Sequence, residues 1–407
     1  MPPAPPAPSP AAHDRALCVD LDGTLLDTDL LYESLLVLLA RNPLYLFLLP
    51  FWLLQGKAAL KRQIAARVTI DPRRLPYNPK VLELLRDTAQ RPRVLCTASD
   101  QLLVAPIAAH LGLFEQVIAS DGQRNLSGTH KAQALVDAFG ERGFDYAGNG
   151  TVDLVVWARA AGAWVVNNRS ALAGAAAQRT QLLGHWPAPS RLQAWLKALR
   201  PHQWLKNLLV FVPVLTAHRF LEAPAVADAL LAFAAFSLCA SGVYLLNDLL
   251  DLDADRRHPR KRHRPFAAGR LPLLHGLVAG PLLTLCGLAV ALACSPAFAA
   301  VLAGYYALTV AYSLRLKRIV MLDVVLLASL YTLRIIGGTV AIGQNCRSGC
   351  WPSACSFSSR WLCSSAIPNS TRCWHVARPA PTAVATAWKT CRCCSRWARP
   401  PATAPCW

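Results

Sequence analysis

Asn247–Arg270 reads N-D-L-L-D-L-D-A-D-R-R-H-P-R-K-R-H-R-P-F-A-A-G-R and follows a long apolar run, Ala225–Leu246. About 20 apolar residues suffice to cross a bilayer as a helix. Acids are costly in hydrocarbon and, at its edge, point to function. Asp248, Asp251 and Asp255 stand at i, i+3 and i+7, so a helix would carry them on one face. Three carboxylates so placed repel each other unless a cation lies between them, and hard oxygen donors of this kind suit Mg²⁺. The basic run behind them suits phosphate groups. It also matches the bias of cytoplasmic loops, but that bias accounts for the arginines and not for the acids.

The pattern N-D-x-x-D-x-x-x-D, at Asn247, Asp248, Asp251 and Asp255, resembles the first aspartate-rich motif of the UbiA superfamily of membrane prenyltransferases. The resemblance implies an all-α multi-span bundle that holds a diphosphate donor through Mg²⁺. It would assign Asp248, Asp251 and Asp255 to the metal and Asn247 to the substrate.

The chain has 407 residues, 54% of them apolar, and a net charge of +19, enough for a soluble domain and a membrane domain. No signal peptide opens it, and residues 1–13, rich in Pro and Ala, read as disordered. Ala16–Asp29, A-L-C-V-D-L-D-G-T-L-L-D-T-D, is a short apolar strand delivering two acids and a Gly-Thr turn. Buried parallel strands place chemistry at such ends. Arg93–Asp100 reads as a second strand ending in small hydroxyl residues, Phe144–Trp157 as a third running into a glycine turn, and Ala163–Asn168 as a fourth.

This set resembles the haloacid dehalogenase superfamily, an α/β, Rossmann-like fold, over residues 14–184. By that resemblance Asp20 is a nucleophile forming an aspartyl-phosphate and Asp22 the general acid/base. Thr97 or Ser99, with Lys131, would steady the phosphate, and Asp20, Asp22 and Asp153 would hold Mg²⁺. The chemistry is coherent, since a carboxylate attacks phosphorus once a metal and a lysine offset the phosphate charge. Asn149 departs from the family, which has an acid there, and weakens the expected metal site. Residues 30–91 stand where that superfamily carries a helical cap. Within it Pro43–Leu54, P-L-Y-L-F-L-L-P-F-W-L-L, is apolar but too short to span. It fits either a cap helix in the membrane interface or an ordinary buried one.

Residues 185–199 read as a linker leading to R-P-H-Q-W-L-K-N at Arg200–Asn207. Here Trp204 and Lys206 suit interface anchors, and Arg200, Lys206 and Asn207 equally suit a phosphate site. Hydropathy marks five spans within residues 200–343: Leu208–Ala217, Ala225–Leu246, Leu273–Cys294, Ala297–Leu314 and Val320–Ile342. Basic residues cluster before the first span, between the second and third, and between the fourth and fifth. That places the soluble domain and the acid motif on the cytoplasmic side of a bacterial inner membrane. Arg334 lies deep in the last span, where an unpaired charge is expensive. Asp323 lies three turns away on the same helix, so a neighbouring helix or a bound phosphate suits Arg334 better.

This half looks most like the branch of the superfamily that moves phosphoribose onto polyprenyl phosphate. The likeness rests on R-P-H-Q-W-L-K-N-L-L-V-F-V-P, the acid motif, and the Tyr312–Lys317 and Arg334–Gly338 patterns. It implies a polyprenyl lipid acceptor and a diphosphate donor. Lys206, Asn207, Tyr312, Lys317 and Arg334 would meet the substrate, and Arg260, Lys261, Arg262 and Arg264 would add charge for a 5-phosphate. No nucleic-acid partner is expected. Aromatic prenylation, a membrane-tethered phosphatase and an inactive remnant are the competing functions.

Residues 344–407 break every pattern. They hold nine of the 14 cysteines, six of the 12 tryptophans and no acid. The group Cys391, Cys393 and Cys394 lacks the paired spacing of a zinc site. In a shifted frame, Cys, Trp and Ser codons yield largely Leu, Val and Phe, so the tail reads as an out-of-frame product replacing further spans and a second acidic motif.

Overall fold

The computed structural model describes residues 15–168, 170–314 and 320–343. The N-terminal half is built on a parallel six-stranded sheet. Its strands are β1 (Ala16–Val19), β2 (Arg93–Asp100), β3 (Gln116–Ser120), β4 (Phe144–Gly148), β5 (Gly162–Asn168) and β6 (Gln181–Pro187), in the order β3-β2-β1-β4-β5-β6. β1 has no alternation because it is buried on both faces: Leu17 and Val19 enter one core, Ala16 and Cys18 the other. The chain fills the β2 side of β1 first and then resumes on the opposite side with β4. Strand ends at such a reversal form the crevice in which open α/β sheets bind ligands.

β6 carries the head three residues beyond the expected boundary, to Pro187, because Trp186 packs on Trp164 of β5 with ring centroids 5.3 Å apart. The next helix, Leu192–Leu199, is also no loose linker, since Ala194 and Ala198 are buried against the membrane half.

The cap comprises the helices Leu30–Arg41, Leu49–Leu54 and Lys57–Ala65 with a 3-10 turn at Pro43–Phe47. Trp52 turns inward and is covered by Arg67, whose guanidinium lies 4.9 Å from the ring centre. Its neighbours turn outward: Phe47 is 71% exposed and Leu54 85%, with Leu44, Leu46, Phe51 and Leu53 also uncovered. An apolar patch of that density is unusual on a water-facing surface and suits a membrane interface.

Four helices in the second half are long and apolar enough to cross a membrane: Ala223–Leu250, Leu273–Cys294, Pro296–Ser313 and Val324–Ala341. The first of them, at about 1.5 Å per residue, is roughly 42 Å long against a hydrocarbon core of about 30 Å. Its acidic end can therefore emerge into the headgroups. Ala223–Leu250 packs closely on Leu273–Cys294 through Gly242, where an added Cβ would come within 2.7 Å of the Gly280 carbonyl oxygen.

The expected crossing at Leu208–Ala217 takes a different form, a 3-10 helix over Pro201–Phe211 followed by a short α-helix, Val212–Thr216. This segment runs antiparallel along Ala223–Leu250. Arg200 meets Asp248, Trp204 meets Ser241, Asn207 meets Ser237 and Phe211 meets Phe233, with Val214 and Ala229 in one cluster at the far end. At a 3-10 rise of about 2 Å per residue, Arg200–Phe211 covers about the same distance, roughly 22 Å, as Phe233–Asp248 does as α-helix. Trp204 is consequently an internal donor to Ser241, 3.0 Å away, rather than a free interface anchor.

Head and membrane half share a core in which Leu36 of the cap meets Leu245, Leu249, Phe266 and Leu273. Beside it lies a buried two-point ion pair. Arg256 donates to both Glu33 oxygens, with Nη1 3.0 Å from Oε2, and its Nε donates to the Ala267 carbonyl at 3.0 Å. Thr28 adds a hydrogen bond to Glu33 at 2.9 Å. Breaking one partner of a buried pair costs about 3–5 kcal/mol, because the other charge is stranded. Glu33→Gln is therefore expected to lower the thermal midpoint of the solubilised protein and speed tryptic cleavage after the exposed Arg191. Unchanged midpoint and cleavage would show that the pair does not hold the halves together.

Candidate active sites

In the head, the C-terminal end of β1 delivers Asp20 and Asp22. Lys131, near the start of the helix Thr129–Phe139, places Nζ 2.8 Å from Asp20 Oδ1 and 2.9 Å from the Tyr146 hydroxyl. Asp22 is fixed by the Leu30 N–H at 2.7 Å and the Ser99 hydroxyl at 2.7 Å, with the Thr97 hydroxyl at 3.5 Å. Thr97 also accepts from the Ser99 N–H at 3.1 Å, so both hydroxyl residues serve the Asp22 side of the cleft.

Burial raises the Asp20 carboxyl to about 7 against the opposing pull of Lys131, with Asp153 and Asp22 adding to the rise. Burial, then the charge of Asp29, raises Asp22 to about 6, a value suited to giving and taking a proton near neutrality. Burial acts to lower the Lys131 ammonium, but Asp20 and Asp153 outweigh it and hold it above its ordinary value. The lysine is thus the fixed positive charge of the cleft.

Asp153, expected as a metal ligand, is engaged elsewhere. Its Oδ1 accepts from Tyr146 at 3.0 Å and its Oδ2 from the N–H groups of Asn149 and Gly150 at 3.1 and 2.9 Å. It fixes the glycine turn, and the Asn149 amide occupies the space beside Gly23. The donors that fit a hard cation here are Asp20 and Asp22, a weaker set than three carboxylates. The buried acids Asp20, Asp22 and Asp153 outnumber the two lysines that act on them, Lys131 and Lys61, and that excess is what a cation offsets.

Sequence reasoning missed two members of this cleft. Tyr146, on β4, bridges Lys131 and Asp153. Lys61, from the cap, reaches the Ala98 carbonyl at 2.6 Å and Asn125 at 3.0 Å, and burial lowers its pKa. Only its position after the apolar cap segment hinted at a role.

In the membrane half, the helix breaks at Asp251, and a second one, Leu252–Arg257, follows. Asp248 and Asp255 consequently come together while Asp251 lines a cavity of about 940 Å³ between cap and membrane half, so the three do not share one face. Arg264 Nη1 stands between the paired acids, 3.1 Å from Asp248 Oδ1 and 2.6 Å from Asp255 Oδ2, and Arg200 Nη2 lies 2.6 Å from the same Asp248 oxygen. One positive nitrogen within reach of two buried carboxylates marks where they can share a cation, and by that test the donors fit Mg²⁺. Among the described residues no three acid, histidine or cysteine side chains converge as a ready metal site. The set closes on arginine.

Arg264 joins the acids, but Arg260, Lys261 and Arg262 stay exposed at a 3-10 turn and, among the described residues, make no hydrogen bond or ion pair to those acids, and Lys206 is likewise exposed. Asn247 donates to Ser313 at 3.0 Å, beside the half-buried Tyr312. Arg334 finds its partners on neighbouring segments: Nε to Asn207 at 2.9 Å, Nη2 to the Tyr305 hydroxyl at 2.8 Å, and Nη1 to the Leu330 carbonyl at 2.8 Å. Lys317 and the side chain of Asp323 lie outside the described residues.

Residues 17–154 match the haloacid dehalogenase-like hydrolase family and residues 210–377 the UbiA prenyltransferase family. The chain joins a haloacid dehalogenase-like domain to a UbiA-family domain. Both families are generally Mg²⁺-dependent. An uncharacterised protein y4nM of Sinorhizobium fredii is 40% identical over 334 residues, covering 80% of this chain and 64% of that protein. The nodulation protein NoeC of Azorhizobium caulinodans is 43% identical over 159 residues, 38% of this chain and 50% of its own length. A decaprenyl-phosphate phosphoribosyltransferase of Mycobacterium tuberculosis is 38% identical over 159 residues, 38% of this chain and 53% of its own. The chain thus spans less than two thirds of each of these three relatives. The UbiA-family match continues past Gly343 to residue 377, into the stretch read as out of frame. That reading of residues 344–407 lies outside the described residues and gains no support from the match.

Proposed function

We propose that the membrane half transfers a phosphoribosyl group from its diphosphate to a polyprenyl phosphate, and that the head is a phosphatase. The observation that carries the first reading is the cluster of Asp248, Asp255, Arg200 and Arg264. It stands at the end of a helix longer than the hydrocarbon core is thick, where a lipid phosphate and a water-soluble donor can meet. The likeness to a decaprenyl-phosphate phosphoribosyltransferase favours ribose over an allylic donor. Asp248 and Asp255 would hold Mg²⁺, which when bound supplies charge to the diphosphate leaving group. Arg200 and Arg264 orient phosphate oxygens through charge-assisted hydrogen bonds. The Asn207–Arg334–Tyr305 network keeps the surrounding helices in register. The positive loops beside the head favour the cytoplasmic side of an inner membrane for it, and the apolar cap patch suits a position in the interface.

The test supplies membranes carrying the chain with Mg²⁺, labelled phosphoribosyl diphosphate and polyprenyl phosphate. Label is expected in the lipid extract. Transfer seen only with a prenyl diphosphate and an aromatic acceptor would overturn the reading. The out-of-frame tail stays a proposal, checked by resequencing across the codons for Ile342–Cys350. A frame-restored chain belongs beside this one in the assay.

A further inference from the structure

The hydrolytic cleft of the head does not open to bulk water alone. A cavity of about 340 Å³ has Asp22, Gly23 and Asn149 on one wall and Gly269, Arg270 and His275 of the membrane half on another. The join is tight. Gly269 has φ +69°, and a Cβ there would come within 2.7 Å of the Asp27 backbone oxygen, so only glycine lets the membrane loop lie against the head. Arg256 holds the same loop by the Ala267 carbonyl while gripping Glu33 of the cap.

Of the acids lining this cavity, Asp22 accepts from the Leu30 N–H at 2.7 Å, Asp27 from Asn167 at 2.7 Å and Asp29 from the Leu31 N–H at 2.9 Å, so the donors left for a phosphate are its arginines. Arg191 and Arg270 are exposed and have no side-chain hydrogen bond or ion pair among the described residues. Arg270 lies a short step along the chain from Arg264, which closes the acid pair of the transferase site. The Arg270 N–H donates to the Pro265 carbonyl at 2.9 Å, so the loop that lines this cavity turns back beside Arg264 of the other site.

We infer that the head hydrolyses a phosphomonoester borne on a membrane-anchored lipid, namely the ester left on the sugar by the transfer reaction next door. The inference rests on the proposed function and adds the substrate class of the head. The balance is simple. An Asp20 oxygen bonds to phosphorus as the sugar C–O–P bridge breaks at the P–O bond, and Asp22 gives its proton to the departing sugar oxygen. Water then loses a proton to Asp22 and attacks the aspartyl-phosphate, releasing inorganic phosphate and restoring both acids. The net change is ester plus water to alcohol plus phosphate. The membrane reaction makes the lipid-linked phosphosugar, and the head consumes it.

The full chain is tested in phosphatidylethanolamine–phosphatidylglycerol vesicles with three probes: polyprenyl-phosphoryl-ribose 5-phosphate, free ribose 5-phosphate and an aryl phosphate. Sharing a membrane raises effective concentration, so kcat/KM for the lipid-linked ester is expected on the order of 10²-fold above that for ribose 5-phosphate. Arg270→Ala should raise KM for the lipid-linked ester about tenfold with kcat retained, as loss of uniform binding does, and Arg270→Lys should recover part of the loss. Equal kcat/KM for the lipid-linked and free esters, or an unchanged KM in Arg270→Ala, overturns the inference. Hydrolysis of the aryl phosphate with the lipid-linked ester inert also overturns it, and leaves the head a phosphatase. Failure of all three probes removes both readings.

Discussion

Asp20→Asn is expected to reduce hydrolysis of phosphate esters by at least about 10³-fold while leaving the fold in place. The amide is isosteric and can still accept from Lys131, now 2.8 Å from Asp20 Oδ1, so the packing around β1 has no reason to change. What disappears is the proposed nucleophile, and among the described carboxylates of the cleft Asp22 is tied to Leu30 and Ser99 and Asp153 to Tyr146 and its own turn. Asp22→Asn should differ in kind. With an aryl phosphate, whose leaving group needs little protonation, the first step can proceed but water is not activated for the second. Labelled phosphate should therefore stay on acid-quenched Asp22→Asn protein and be absent from Asp20→Asn. Near-normal turnover by Asp20→Asn would show that another group attacks.

The head was legible where burial imposes a pattern. β1, β2, β4 and β5 are interior strands covered on both faces, and their continuous apolar runs stand out. β3 and β6 lie at the sheet edges, where solvent relaxes the pattern, and Gln116–Ser120 and Gln181–Pro187 give no such run. D-x-D-G-T and Lys131 were readable because a short motif carries the chemistry. Tyr146 was not, since its role depends on a helix and a turn that meet only in the fold.

In the membrane half, apolar length marked the crossings but not their geometry. Leu208–Ala217 reads as an apolar crossing, yet the 3-10 helix Pro201–Phe211 that leads into it follows from matching side chains along Ala223–Leu250. Arg334 was recognisable as a charge in need of a partner, while its partners Asn207 and Tyr305 lie far off in sequence. Nothing in R-R-H-P-R-K-R-H-R tells which arginine grips Glu33 and which bridges Asp248 and Asp255. Arg256 and Arg264 are chosen by where the chain turns; the sequence reading instead assigned Arg264, with Arg260, Lys261 and Arg262, to a 5-phosphate.

Asp248→Asn is expected to lower transfer by on the order of 10²-fold or more, with the protein still in the membrane fraction. A single preorganised charge aimed at a developing anion carries an effect of that size. The substitution also leaves Arg200 and Arg264 short of an anion, so its loss of rate alone would not separate a metal role from a structural one. The Mg²⁺ dependence does. Asp248→Asn removes a donor and should raise the Mg²⁺ concentration for half-maximal rate. Arg264→Gln removes the guanidinium that lies between Asp248 and Asp255, at 3.1 and 2.6 Å, and should lower that concentration. Its transfer rate should nevertheless fall, since the same guanidinium is then missing from the diphosphate. Opposite shifts in metal requirement with rate lost in both variants are what a shared cation position demands. Parallel shifts, or near-normal transfer by Asp248→Asn, would mean that the acids and arginines only brace the helix ends.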